Sequence, residues 1–105
     1  MNRGEVWLVQ LDPTVGSEIQ KTRPCVIVSP SEMHDNLRTI LVAPMTIGSR
    51  SAPFRVPVKS ESKDGLILLD QLRAVDKRRL TRRLGAVETK TLQGTLATLR
   101  AIFAE

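Results

Sequence analysis

Arg23, in the segment Lys21-Thr22-Arg23-Pro24, stands immediately before the apolar run Cys25-Val26-Ile27-Val28. That run reads as a buried strand, so the guanidinium is held at a strand end and aimed at whatever binds there. A second run, Ile40-Leu41-Val42-Ala43, leads into Pro44-Met45-Thr46. If the two strands are neighbours, the Thr46 hydroxyl emerges beside the cation and the pair makes a small anion site. A guanidinium is planar, permanently charged and bidentate towards phosphate oxygens. A threonine hydroxyl can hydrogen-bond a non-bridging phosphate oxygen but is too weakly acidic to ionise on its own. Using a guanidinium as a free base at pH 7 costs on the order of 7 kcal/mol, about five pKa units at 1.36 kcal/mol each. Its chemistry is therefore stabilisation of developing negative charge, with donation to a leaving oxygen as a second role. The competing reading from the residues alone is a structural ion pair of Arg23 with Glu18 or Asp70.

The elements that must position these groups are short. Runs of β-branched and aliphatic residues broken by turn residues predict strands near 4–11, 24–29, 38–46, 54–58, 66–70, 72–75 and 83–87. This is the pattern of a small all-β barrel, not of alternating βαβ units. Asp12-Pro13 through Gly16-Ser17 reads as a long loop, and Gly48-Ser49-Arg50-Ser51-Ala52-Pro53 as another, both flanking the anion site. Leu92, Leu96, Leu99 and Phe103 recur at helical spacing, so a C-terminal amphipathic helix, capped by Thr89 or Thr91, is expected to close the barrel. Gly94 inside it costs roughly 1 kcal/mol relative to Ala, so packing must supply the helix's stability.

The 105 residues suffice for one domain, 1–105, with one modest core. One Cys and one His exclude a disulfide framework and a zinc cluster of the usual spacing, and no metal or cofactor is expected. Cys25 reads as a small buried hydrophobe and His34, in Ser31-Glu32-Met33-His34-Asp35-Asn36, as a solvated loop histidine, which argues against a Cys-His nucleophile pair. Arg3, Glu5, Asp12 and Glu18 interrupt the first 20 residues, so neither a signal peptide nor a membrane span is expected and the location is cytoplasmic. Sixteen Lys and Arg against 11 Asp and Glu give a net charge of +5, which favours polyanionic partners. Lys77, Arg78, Arg79, Arg82 and Arg83 concentrate that charge, either as a solvated edge or as a phosphate-binding surface.

The phrases Arg3-Gly4-Glu5-Val6-Trp7, Leu11-Asp12-Pro13-Thr14-Val15-Gly16-Ser17-Glu18, Thr22-Arg23-Pro24, Val42-Ala43-Pro44-Met45-Thr46 and Leu69-Asp70-Gln71 follow in order along the chain. Together they resemble the MazF/PemK family of toxin ribonucleases from bacterial toxin-antitoxin pairs. The resemblance implies an SH3-like β-barrel closed by a C-terminal α-helix. It also implies metal-independent, sequence-specific cleavage of single-stranded RNA, the activity of an mRNA interferase. The 2′-hydroxyl attacks the adjacent phosphorus, leaving 2′,3′-cyclic phosphate and 5′-hydroxyl ends.

By motif position the resemblance casts Arg23 and Thr46 as catalytic, with Glu18 and Asp70 as the candidate proton acceptors and Glu18 the favoured one. Ser17, Lys21, Thr22, Arg50, Arg78 and Arg79 are the expected RNA contacts. Some members carry His where this chain has Ser17, so an imidazole is missing from that position. With Trp7, Phe54 and Phe103 the only aromatics, base readout is expected to rest on loop hydrogen bonds. The implied partners are a second copy of the chain, a cognate antitoxin whose acidic disordered segment folds on the basic groove, and operator DNA only through that antitoxin. Two other functions compete. A CcdB-like gyrase poison is disfavoured because those relatives end in Trp-Gly-Ile, whereas this chain ends Ile102-Phe103-Ala104-Glu105. A nucleic-acid-binding regulatory module is allowed by the basic cluster alone.

Overall fold

The computed structural model describes residues 1–48, 51–60 and 63–105. Seven strands, β1 (Glu5–Gln10), β2 (Thr22–Ile27), β3 (Thr39–Ile47), β4 (Arg55–Ser60), β5 (Lys63–Leu68), β6 (Arg73–Asp76) and β7 (Leu80–Ala86), are joined by a one-turn helix α1 (Ser31–His34) and followed by α2 (Thr89–Ile102). Two 3₁₀ turns, Leu69–Gln71 and Lys77–Arg79, bracket β6. The strands lie in the order β4, β5, β3, β2, β1, β7, and β6 pairs with β3 off this path.

The two apolar runs that stand out in the sequence form the centre. β2 and β3 alternate strictly, Val26, Val28, Ala43 and Met45 entering one core and Cys25, Ile27, Ile40 and Val42 a second. Both faces of these strands are buried, and for that reason their sequences read as continuous hydrophobic runs instead of alternating ones. β3 carries more connections than any other strand: β2 pairs with it at Val42–Pro44, β6 at Thr39–Val42 and β5 at Met45–Ile47. Gly65 makes the last junction possible, since a Cβ there would lie 2.6 Å from the Thr46 carbonyl oxygen.

Mainly β architecture with a C-terminal helix matches the expectation, but the sheet does not close into a barrel. Among the described residues the path ends at β4 and β7, with β6 a side branch paired only with β3. Each end is unsuited to further pairing: Pro57 in β4 lacks an N–H, and β7 is bulged against β1 and carries exposed Arg82 and Arg83. α2 packs against β4 and the turn Leu69–Gln71.

Two further expectations change. The buried face of α2 centres on Leu92, fully buried Thr95, Leu99 and Ile102, while Phe103 is 72 % exposed. Thr95 is tolerated there because its hydroxyl bonds the Thr91 carbonyl within the helix at 2.8 Å. The helix is capped from Glu88, without a side-chain bond, and not from Thr89 or Thr91.

His34 is not a solvated loop residue; it is completely buried. Its Nδ1 faces Ser29 Oγ at 2.9 Å and its Nε2 faces the Met1 carbonyl at 2.7 Å. A carbonyl only accepts, so in the neutral ring Nε2 carries the hydrogen and Nδ1 accepts from Ser29. Ser29 Oγ in turn accepts from the Leu41 amide at 3.2 Å, so the ring ties the chain start and α1 to β3. The polar flanks of α1 suggested solvent, but the tertiary fold supplies partners for both ring nitrogens.

Two stability predictions follow from this packing. His34→Ala leaves a cavity and two unpartnered polar groups and is expected to cost about 2–4 kcal/mol in a urea unfolding titration. Gly65→Ala forces β5 away from Thr46 and is expected to cost roughly 1–3 kcal/mol in the same measurement.

Candidate active site

The β2–β3 ladder pairs Cys25 with Pro44, Val26 with Ala43 and Ile27 with Val42. The ladder ends at Cys25 and Pro44, where β3 goes on to pair with β5; extended by two residues, its register would bring Arg23 opposite Thr46. Directly opposed residues of an antiparallel pair share a face, and here it is the face of the second core, to which Val9, the β1 partner of Arg23, also belongs. The core therefore ends, at this edge, in a guanidinium and a hydroxyl. Arg23 is exposed and Thr46 half-buried. The one described side-chain hydrogen bond of Arg23 runs from Nε to the Gln20 carbonyl at 3.2 Å, and among the described residues it forms no ion pair.

The loop between β1 and β2 carries Ser17 and Glu18 to the same region. Its root is closed by the Leu11 amide donating to the Lys21 carbonyl at 2.8 Å. Gly16 and Lys21 both take positive φ, 60° and 68°, which bends the loop at its tip and at its return. Glu18 accepts the Val15 amide through Oε1, folding the tip on itself, and Ser17 is exposed beside it. The next amide, Ile19 N–H, donates to Gln71 Oε1 at 2.7 Å across 52 residues of sequence. Glu18, Ile19, Pro44, Asp70, Gln71 and Arg73 line a cleft of about 170 Å³. Both candidate residues thus line one recess.

They differ in environment. Asp70 is gripped by Arg55, Nε to Oδ1 at 3.1 Å and Nη2 to Oδ2 at 3.0 Å. These hydrogen bonds hold its carboxyl below the usual carboxylate range, against the opposing effect of partial burial. Such a carboxylate is a weaker proton acceptor. Glu18 receives one backbone donor at Oε1, which leaves Oε2 for other partners.

Of the expected RNA contacts, Thr22 pairs with Gln10 on β1 and Lys21 turns the loop beside it. Arg50 lies outside the described residues. The basic cluster is less free than its composition suggests. Arg78 bonds Asp76 at 3.1 and 3.3 Å, although its side chain is 91 % exposed. Arg79 donates to the Gln10 and Asp12 carbonyls, and Arg73 to the Leu11 carbonyl at 3.2 Å. Two arginines therefore hold three consecutive carbonyls at the root of the Glu18 loop. Arg83 pairs with Glu5 at 3.3 Å. Burial raises the Glu5 carboxyl, but the Trp7 indole, the Asn2 amide and Arg83 outweigh it and hold the group below its ordinary value.

Arg55, Gln71 and Arg73 are site residues that the sequence reading passed over. Arg55 lies opposite Leu68 across a hairpin, and no local pattern announces its partner 15 residues on. Gln71 adjoins Asp70 in the Leu69-Asp70-Gln71 phrase, which was the available signal. Cys25 is fully buried, and burial pushes its thiol up to about 12, so it offers no nucleophile.

The family model described as PemK-like, MazF-like toxin of type II toxin-antitoxin system matches residues 2–103. Endoribonuclease PemK of Escherichia coli is 39 % identical over 108 residues, covering 97 % of this chain and 81 % of the relative. Endoribonuclease MazF of Staphylococcus epidermidis is 37 % identical, covering 80 % and 75 %. In fold, the chain is similar to the crystal structure of MazF from Deinococcus radiodurans, with a TM-score of 0.87 at 21 % identity over 100 % of this chain and 97 % of that one. An endoribonuclease in complex with its cognate antitoxin from a mycobacterial species gives a TM-score of 0.80 at 20 % identity, covering 96 % and 92 %. The chain belongs to the PemK-like, MazF-like toxin family of type II toxin-antitoxin systems.

Proposed function

We propose that this chain is the endoribonuclease toxin of a toxin-antitoxin pair and that it cleaves single-stranded RNA by 2′-hydroxyl attack on phosphorus. Support for this reading comes from the β2–β3 ladder, whose register, extended two residues past Cys25–Pro44, would bring Arg23 opposite Thr46, and from the cleft that Glu18, Pro44 and Asp70 line. Arg23 holds the negative charge of the phosphorane, and the Thr46 hydroxyl donates to a non-bridging oxygen. Glu18 takes the 2′-hydroxyl proton as the 2′-oxygen bonds to phosphorus. The bond to the 5′ oxygen breaks, and that oxygen, hydrogen-bonded by Arg23, is protonated from solvent. Asp70, with both oxygens engaged by Arg55, is the poorer acceptor.

Single strands are the substrate because in-line attack needs a freely rotated backbone and because unpaired bases expose their edges. Ser17, Lys21 and Thr22 contact the strand from the loop side, while Arg50, Arg78 and Arg79 add backbone charge. Relatives named as endoribonucleases favour this activity over gyrase poisoning. The MazE-MazF structures among the similar folds support an antitoxin partner, whose acidic segment suits a chain of net charge +5. A homodimer, operator contact only through the antitoxin, and a cytoplasmic location complete the reading. Among the described residues no helix is long and apolar enough to cross a membrane.

Purified protein is expected to cut single-stranded RNA in excess EDTA, leaving 2′,3′-cyclic phosphate and 5′-hydroxyl ends, and Arg23→Ala to lower the rate by roughly 100-fold while keeping the fold. Strict dependence on an added divalent ion rejects the metal-free route, and near-normal activity in the folded variant makes Arg23 structural. The assignment of the base is checked by pH–rate profiles: Glu18→Gln is expected to abolish the acidic limb and slow the reaction by roughly 100- to 10,000-fold. A limb that survives Glu18→Gln but vanishes in Asp70→Asn transfers the role to Asp70, and a limb untouched by either rejects both carboxylates.

A further inference from the structure

Arg55, at the start of β4, reaches across the hairpin to Asp70 with two prongs of its guanidinium, at 3.1 and 3.0 Å. The backbone repeats the connection, because the Leu69 amide donates to the Phe54 carbonyl at 3.2 Å. Asp70 is the central residue of the 3₁₀ turn Leu69–Gln71. The last residue of that turn, Gln71, accepts the Ile19 amide at 2.7 Å, and Ile19 directly follows Glu18. Two sets of hydrogen bonds, joined by the backbone of the 3₁₀ turn between Asp70 and Gln71, thus connect β4 to the loop that carries Glu18.

We propose that Arg55 is a positioning residue for RNA cleavage: its fork fixes the turn that carries Asp70 and Gln71, and Gln71 in turn fixes the Glu18 loop over the cleft. The inference rests on the reading of Glu18 as proton acceptor. A bidentate grip sets orientation as well as distance, which a single contact does not. The two side chains are 24 % and 41 % exposed, a setting in which an ion pair adds little to global stability, so the value of the contact is geometric. The prongs that would clasp a phosphate are already taken by Asp70, which argues against Arg55 as a direct RNA contact. Asp70 is also held in its charged form by these bonds, so the grip persists at neutral pH.

The test uses the full chain, with Ile19 amide exchange followed by NMR and steady-state cleavage of single-stranded heteropolymer RNA. Arg55→Gln is expected to speed Ile19 exchange roughly 5- to 10-fold, the scale of one net hydrogen bond. The same variant is expected to lower kcat by up to about 100-fold, the scale of a displacement near 1 Å, with KM little changed. Arg55→Lys should not restore the rate, since an ammonium is a point charge without the fork. Arg55→Gln combined with Gln71→Leu should be no worse than the worse single change, because both act through one connection. Should Arg55→Gln fail to fold, Asp70→Asn supplies the same two readouts. Unchanged Ile19 exchange overturns the proposal, as does full rescue by Lys. A loss confined to KM with a flattened salt dependence overturns it in favour of a phosphate contact. A wild-type chain that cuts no RNA removes the underlying reading and the inference with it. A wild type that cuts, beside an Arg55→Gln variant that cuts equally well, removes the inference alone.

Discussion

The pairing of β2 with β3 is the constraint on which the site depends. Side chains alternate across a strand, so a slip of one residue would send Arg23 and Thr46 to opposite faces and at the same time reverse which residues enter each core. The cores prevent that slip. Cys25, Ile27, Ile40 and Val42 are fully buried on one side, and Val26, Ala43 and Met45 are buried on the other. A one-residue slip would exchange the two sets between cores of different shape, at a cost in packing. The position of a cation and a hydroxyl at the ends of these central strands thus depends on hydrophobic burial several residues away.

A second principle concerns the arginines. A chain with 16 basic residues invites a reading in which each one waits for phosphate. Here several are engaged in the protein's own architecture: Arg73 and Arg79 hold the carbonyls of Gln10, Leu11 and Asp12, Arg55 holds Asp70, and Arg83 holds Glu5. The planar fork with several fixed donors suits this work, because it satisfies backbone carbonyls that a loop root otherwise leaves to water. The net positive field survives, since a guanidinium bonded to neutral carbonyls keeps its charge. Arg73 and Arg79 thus anchor the loop root and still contribute to the positive field, whereas the charges of Arg55 and Arg83 are offset by Asp70 and Glu5.

The loop between β1 and β2 illustrates how a short irregular segment is tied in place. From Asp12 to Lys21 it contains no strand or helix. Its order comes from contacts at both ends and in the middle: the Leu11–Lys21 bond at the root, the arginine clamps on the carbonyls, the Val15–Glu18 turn at the tip and the Ile19–Gln71 bond on its flank. Each long-range contact reaches a residue of the segment 69–79, the two 3₁₀ turns and β6 between them. Loop and turn segment act as one unit against the sheet.

The sequence by itself determined the strands, the two central apolar runs, the terminal helix and the residues at the ends of those runs. These are local matters of alternation, helical period and turn chemistry, and Arg23 and Thr46 were legible because they end buried strands. Family phrases added Glu18 and Asp70. The tertiary structure alone decided what depends on distant partners. It left the sheet open, with Pro57 on β4 and the bulge and arginines of β7 discouraging further pairing at the ends. It buried His34, whose polar neighbours in sequence conceal the Ser29 and Met1 groups that meet its ring. It shifted the helix's core face from Phe103 to Ile102, since a surface helix turns to suit the strands beneath it. It joined Arg55 to Asp70 and Gln71 to Ile19, contacts between side chains and backbone far apart in sequence that no local pattern encodes.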